Sequence, residues 1–267
     1  MYSPFQFAIN YLKFLLNAYN SKGHGMHSPF VFDFIIKIMN DRTVYSEYER
    51  VENLRKRLLN DETILNVEDL GAGSVVSKNK QRSISSIAKN AAKSKKFGQL
   101  LFRMIKYYKP KTILELGTSL GITTSYLSFA KPDAKLISLE GSKEIADVAK
   151  QNFKTSEIKN IELIEGNFDD TLGSVVRGLS TIDFAFIDGN HRQEPTERYF
   201  LEILSKVNID SVLVFDDIHW SNGMEAAWKS IKNHSSVTCS IDLFYIGIVF
   251  FRKEFKEKQH FNIRSPL

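Results

Sequence analysis

A chain of 267 residues with 43% hydrophobic and 25% charged content is long enough to bury one sizeable core and carry a small appended segment. Its single cysteine, Cys239, excludes an intramolecular disulfide and any cysteine-rich zinc site, and no apolar stretch reaches the ~18 residues that a membrane span needs. With no basic start followed by an apolar run in the first thirty residues, a globular cytoplasmic protein without a membrane span is expected. The net charge of +5 is uneven: residues 1–110 carry 18 Lys+Arg against 9 Asp+Glu, and the remainder 18 against 22. A basic N-terminal part reads first as a solvated face, with attraction to nucleic acid or an anionic substrate as the alternative.

The chain opens with an apolar helix pattern over 5–16, greasy enough to dock on another surface and to serve as a homo-oligomer interface. Only Lys13 and Lys22 flank it, which is thin for attraction to anionic lipid. Gly23, Gly25 and Pro29 break the helix around His24 and His27, and an apolar run from Phe30 restarts one. Those histidines read as a polar lip, as half of a metal site or as ordinary turn chemistry, and no acidic or thiol neighbour supports the metal. Residues 46–59 form a charged amphipathic helix with Val51, Leu54, Leu58 and Leu59 on its apolar face. Residues 67–74, with Gly71 and Gly73, imitate a cofactor loop, but no full strand precedes them and a polar, basic stretch follows, so they are rejected as the main site. Residues 78–96 hold seven basic side chains, no acidic one and no aromatic for base stacking. That run reads as a mobile cap beside a cofactor or, alternatively, as a track for a phosphate backbone.

From Phe97 onward strands and helices alternate. After a helix over 98–108, strands are expected at 112–117, 135–140, 160–166, 182–188 and 211–217, with helices near 121–130, 142–153, 168–178, 194–206 and 223–233. Two β-rich runs, 237–244 and 246–252, leave no room for a helix between them, so the last two strands form an antiparallel hairpin. The expected fold class is α/β: a Rossmann-like, seven-stranded, mostly parallel sheet with an antiparallel C-terminal hairpin, helices on both faces and an N-terminal helical extension. Residues 1–95 are assigned to that extension and 96–267 to the catalytic domain. The organising stretch is 113–127, where a strand ends in Glu115-Leu116-Gly117, turns through Ser119 to Gly121 and continues as a helix. Small residues there permit close backbone approach, and the helix start offers free N–H groups to a nucleotide-like cofactor.

Several motifs stand in order: Gly98-Gln99, Glu115-Leu116-Gly117 with Gly121, Glu140 closing the second strand, Phe186-Ile187-Asp188-Gly189 and Val214-Phe215-Asp216-Asp217. With the terminal hairpin, they make the chain resemble the class I S-adenosylmethionine-dependent methyltransferases from about residue 98 through 252. Dinucleotide dehydrogenases, the main rival, usually show Gly-x-Gly-x-x-Gly and continue with parallel strands. Ser119 stands where the common methyltransferase loop has its middle glycine, which resembles the catechol O-methyltransferase branch of metal-dependent small-molecule enzymes.

The residues give these positions physical sense. Gly117, Ser119 and Gly121 form the loop, and Glu140, about twenty residues on, can accept both ribose hydroxyls. Asn167, Phe168 and Asp169 resemble the family's adenine-contacting turn, and Glu115 resembles its acidic residue near the methionyl portion of the cofactor. Asp188, Asp216 and Asp217 gather three carboxylates at strand ends, where they repel one another unless a cation intervenes; loop and cap aspartates in a metal-free enzyme are the alternative. The resemblance implies magnesium. Asp217 replaces the branch's asparagine, which leaves the site more negative and admits calcium or manganese. His191, three residues past Asp188, resembles the place of the branch's lysine base, and its imidazole can take a hydroxyl proton. Asn190 stands where that branch has an aromatic residue, while His219 and Trp220 either line the acceptor pocket or pack.

The expectation is therefore an S-adenosylmethionine-dependent methyltransferase acting on an oxygen of a small hydroxylated or carboxylated acceptor, assisted by Mg2+ or another divalent cation. His191 and Asp188 are its catalytic residues. One alternative is an RNA- or DNA-modifying methyltransferase using 78–96, although an Asn/Asp-Pro-Pro-Tyr/Phe motif is missing and no proline precedes Cys239. The other is a non-catalytic cofactor-binding protein, against which Glu140, Asp188 and His191 stand intact.

Overall fold

The computed structural model describes residues 1–67, 81–90 and 92–265. Its contacts divide the chain into two compact units, one made of Met1–Asp41 with Val176–Leu267 and the other of Arg42–Val175. In chain order the first unit starts with α1 (Pro4–Asn17), α2 (Pro29–Asp33) and a π-helical turn, Phe34–Met39. The second unit holds α3 (Ser46–Leu59), β1 (Ile64–Asn66), β2 (Gln81–Ser83), α4 (Ile84–Asn90), α5 (Lys95–Tyr108), β3 (Thr112–Leu116), α6 (Ile122–Ala130), β4 (Lys135–Glu140), α7 (Lys143–Thr155) and β5 (Ile161–Glu165). The chain returns to the first unit within α8 (Phe168–Gly178). It then forms β6 (Phe184–Ile187), α9 (Gln193–Leu204), β7 (Val212–Asp216), α10 (Asn222–Asn233), β8 (Cys239–Asp242), β9 (Ile246–Phe250) and β10 (Gln259–Asn262).

In the second unit β3, β4 and β5 pair in parallel, in that order, with Leu116 opposite Leu139 and Glu140 opposite Glu165. Ile113, Leu114 and Leu116 are fully buried, as expected of a parallel strand covered on both faces. The α5 helix begins at Ser94, whose hydroxyl accepts from the Phe97 amide (3.2 Å), and ends at Lys109 in the left-handed region (φ 51°). It meets α6 closely: a Cβ on Gly98 would lie 2.4 Å from the Tyr126 ring. The neighbouring α3 fixes that ring, because the Tyr126 hydroxyl donates to Glu52 at 2.7 Å.

In the first unit β6 and β7 are parallel, while β9 runs antiparallel to both β7 and β8. The hairpin expected from the two β-rich runs is therefore present, and the architecture is the Rossmann-like α/β fold with a mostly parallel set of strands. All seven expected strands form. An eighth, β10, adds to β8 in parallel. Its Gln-His-Phe-Asn sequence carries no apolar run because it lies at an edge and is largely exposed, so alternation gave no sign of it.

The hairpin turn holds Phe244 at φ 71°, a conformation costly for a bulky side chain. Packing holds it there: Phe7, Tyr11 and Phe14 of α1 surround the ring at centroid distances of 5.1, 4.8 and 5.4 Å, and the His219 ring stacks on it at 5.0 Å. The inner face of α1 is thus used. Its outer face leaves Phe5, Leu12 and Leu16 exposed at 77, 60 and 82%. No helix among the described residues is long and apolar enough to cross a membrane.

Candidate active site

The loop after β3 is built from three left-handed residues, Gly117 (φ 101°), Ser119 (φ 48°) and Gly121 (φ 83°). Two of them need glycine for conformation, and Gly121 also for space, since a Cβ there would lie 2.5 Å from the Phe153 ring. Backbone amides of Gly117 and Thr118 donate to the Leu139 carbonyl (3.0 and 3.2 Å), which hangs the loop on β4. Glu140, at the tip of β4, accepts from Ser119 N (2.8 Å) and Ser142 N (3.0 Å), so one carboxylate clasps the loops that follow β3 and β4. Ser142 is a member of this arrangement that sequence reasoning missed, since nothing in its surroundings distinguishes it from any serine opening a helix.

Glu115 is fully buried and accepts from the hydroxyls of Thr124 (2.6 Å) and Ser138 (2.5 Å), and Ser138 in turn bonds Thr118 (2.5 Å). Its carboxylate thereby joins β3, β4 and α6 beneath the loop. Asn167 caps α8, its side chain accepting from Asp169 N (3.1 Å) and its carbonyl from Thr171 N (3.0 Å). Phe168 is half-buried and Asp169 exposed beside it. The turn is tied to the tip of β4 by Gly166 N, which donates to the Glu140 carbonyl at 2.9 Å. All eight cofactor-binding candidates thus fall at the C-terminal ends of β3 and β4, on the loops that follow β3 and β5, or on the first turn of α8, within the second unit.

The other candidates lie in the first unit. The β6–β7 register sets Ile187 opposite Phe215, so the residues that follow, Asp188 and Asp216, emerge side by side. One ligand atom each from Asp188, His191 and Asp216 lie within 4.8 Å of one another, and Asp216 is 2% exposed. The His191 Nε2 stands 3.5 Å from Asp188 Oδ1 and 4.0 Å from Asp217 Oδ2. Both Asn190 (φ 59°) and Asp217 (φ 53°) take left-handed conformations, so the chain bends sharply beside each strand end. The paired carboxylates, with Asp217 on the flank, suit a divalent cation of hard character, and the His191 imidazole beside them offers either a further donor or a base. Asp217 lies outside the tightest group of three, and His191 lies inside it.

His219 does not join this group. Its Nδ1 lies 3.1 Å from Glu225 Oε1 and its Nε2 2.9 Å from Asp242 Oδ2, a carboxylate that also accepts from Trp228 Nε1 (3.0 Å). Burial disfavours its charged form, but the Asp242 and Glu225 carboxylates prevail and hold its pKa above the ordinary value. With both ring nitrogens engaged and Phe244 stacked on its face, His219 is a packing residue. His24 and His27 are exposed turn residues, His24 N donating to Asn20 Oδ1 at 3.3 Å. The imitation loop at 67–74 lies almost wholly outside the described residues, as do Lys78 and Lys80 of the basic run.

Residues 114–218 match a family model described as a methyltransferase domain. No curated protein matches the sequence. Among solved structures, the SAH-bound methyltransferase PaMTH1 of Podospora anserina is similar with a TM-score of 0.59 at 16% identity, over 85% of this chain and 97% of that one. The O-methyltransferase TomG of Streptomyces achromogenes, in complex with SAM, gives 0.54 at 22% identity over 61% and 82%. An O-methyltransferase from Bacillus cereus in complex with SAH gives 0.54 at 19% over 78% and 92%. At these identities the likeness establishes the fold.

Proposed function

We propose that this chain, whose residues 114–218 match a methyltransferase domain, is a class I, S-adenosylmethionine-dependent enzyme that methylates an oxygen atom of a small hydroxylated or carboxylated acceptor with help from a divalent cation. The observation that carries this reading is the convergence of Asp188, His191 and Asp216 at the ends of adjacent strands. When bound, S-adenosylmethionine supplies a sulfonium-activated methyl group, so the protein must position the acceptor, ionise it and exclude water. Glu140 is suited to exchange its two amide donors for the hydroxyls of the cofactor ribose. The loop Gly117, Ser119 and Gly121 lets the backbone approach the methionyl portion above buried Glu115, and Asn167, Phe168 and Asp169 flank the adenine.

Asp188, Asp216 and Asp217 would hold Mg2+ or another divalent cation, which would lower the pKa of an acceptor hydroxyl. His191, with Asp188 beside its Nε2, takes the proton from that hydroxyl as the oxygen's electron pair turns to the methyl carbon. Bound S-adenosylmethionine would serve as the methyl donor here, its sulfur keeping the carbon–sulfur electron pair as the leaving group. The same reading divides the chain into an N-terminal extension (1–95) and a methyltransferase domain (96–267). It gives the exposed face of α1 to a homo-oligomer contact, and it places the protein in the cytoplasm.

The test is calorimetric. S-adenosylhomocysteine is expected to bind the wild-type protein and to bind Glu140→Ala about tenfold or more weakly, since hydrogen bonds to a charged group are lost. Methyl transfer to hydroxylated acceptors, followed with radiolabelled donor, is expected to stop on adding chelator and return with Mg2+ or Mn2+. No binding, or binding indifferent to Glu140→Ala, sinks the cofactor site; transfer indifferent to chelator removes the cation.

A further inference from the structure

Asn190 is 7% exposed, left-handed and placed directly before the proposed base, and its amide is committed on both sides. Its Nδ2 donates to the hydroxyl of fully buried Tyr199 (2.9 Å), which turns Oδ1 toward Arg192, and Arg192 Nε donates to that oxygen at 2.6 Å. The Arg192 backbone is held as well: it is the N-cap of α9, and its carbonyl accepts from both the amide (3.1 Å) and the hydroxyl (2.7 Å) of Thr196. An exposed arginine is thus fixed at its backbone and at the root of its guanidinium, one residue from His191.

The holder is a neutral amide, and that choice matters. Arg198, Arg55 and Arg252 meet carboxylates, at Glu194 (2.7 Å), Glu52 (3.1 Å), and Asp210 with Glu254, while Arg50 and Arg264 bond backbone carbonyls. Among the described residues no carboxylate pairs with Arg192, so the amide orients its charge without neutralising it. With Nε taken, the Nη1–Nη2 end of the fork is left, and its spacing matches the two oxygens of a carboxylate. Asp188, Asp216 and Asp217 outweigh a divalent cation by one charge, so an anionic acceptor approaching them needs a compensating cation. Resting on the methyltransferase reading above, we propose that Arg192 anchors the methyl acceptor through a carboxylate that the acceptor carries in addition to its reacting hydroxyl, and that Asn190 is the positioning residue for that anchor. The acceptor class is a hydroxy-carboxylate.

The experiment uses full-length protein saturated with S-adenosylhomocysteine and Mg2+, titrated calorimetrically with mono- and dihydroxybenzoates, each compared with its uncharged benzamide. Wild type is expected to bind the acids about tenfold or more tightly than the amides, the gain of a charge-assisted bidentate contact. Arg192→Gln is expected to bring the two to parity, Arg192→Lys to retain part of the difference, and Asn190→Gly, which tolerates the backbone angle, to narrow the ratio without weakening the amides. A merely structural Asn190 would weaken both partners alike. The proposal is overturned if the acids hold no advantage in wild type, if the advantage survives Arg192→Gln, or if neither class binds while S-adenosylhomocysteine does. Failure of S-adenosylhomocysteine itself to bind overturns the methyltransferase reading and this proposal with it.

Discussion

Asp216 is almost completely buried, and burying a carboxylate beside a second one is costly unless something positive shares the space. If it serves a cation, Asp216→Asn keeps the shape and removes a ligand charge. The expected outcome is a loss of Mn2+ affinity of about tenfold or more, with a metal-free unfolding midpoint equal to or above wild type because like-charge repulsion is relieved. Electron paramagnetic resonance of bound Mn2+ and a urea titration read the two effects separately. A stability loss with unchanged Mn2+ affinity assigns Asp216 to the structure alone. At this scale the sequence was legible where chemistry follows from position in the fold: Glu140, Asp188 and Asp216 are acids at strand ends, and His191 follows one of them by three residues. Asn190 with Arg192, and the Thr118–Ser138–Glu115–Thr124 network, were not legible. Their meaning depends on which side chains meet across separate elements, and neither periodicity nor spacing encodes that.

At the scale of elements, the crossing of α5 over α6 gives a sharp case. A Cβ at Gly98 would sit 2.4 and 2.5 Å from two carbons of the Tyr126 ring, and that ring cannot swing aside without breaking its bond to Glu52. Burial and the Glu52 carboxylate keep the phenol protonated well above the usual range, so the bond persists at any working pH. Replacing glycine by alanine in a helix interior ordinarily gains up to ~1 kcal/mol, whereas overpacking costs ~1–3 kcal/mol. The clash wins. Gly98→Ala is therefore expected to lower stability by ~1–2 kcal/mol, while Gly178→Ala, which meets nothing within 4 Å, is expected to leave it within ~0.5 kcal/mol. Urea midpoints of the two variants check this, and a neutral Gly98→Ala would mean that the helices can separate.

Elements with strong periodicity, such as α3, α7 and the five parallel strands, were readable to within a residue or two, while α5 begins three residues before the expected start, and the lack of room for a helix revealed the hairpin. Three features escaped, the short antiparallel pair β1–β2 among them. The π-helical turn Phe34–Met39 depends on tertiary packing of Phe34, Ile35, Ile38 and Met39, and β10 borrows its order from β8.

For the molecule as a whole, titration predicts how stability varies with pH. Burial, helped by the Glu254 charge, pushes the Cys239 thiol from 9.0 up to about 12, and burial together with Glu225 pushes the Tyr2 phenol from 10.0 up to about 12. In the unfolded chain both groups lose their protons at their ordinary values. Between about pH 9 and 12 the unfolded state therefore binds fewer protons than the folded one, and unfolding becomes easier as pH rises. His260 acts on the other side: burial, with Lys232 and Lys258 nearby, lowers its pKa below 6.5, so the unfolded state takes up a proton first and stability falls as pH drops through that range. Despite burial, Asp242 and Glu225 raise the His219 pKa above 6.5, which makes stability ease downward as pH rises past that value. The urea midpoint is expected to decline more steeply above pH 9. In Cys239→Ala the steeper decline should be delayed toward pH 10, where Tyr2 begins to contribute. The native thiol should also resist a disulfide reagent at pH 8 and react fully once urea unfolds the chain, since a fully buried group with so high a pKa offers almost no thiolate. A midpoint that stays level from pH 8 to 11 in wild type, or a thiol that reacts at once in the native protein, would show that β8 opens to solvent far more readily than its burial implies.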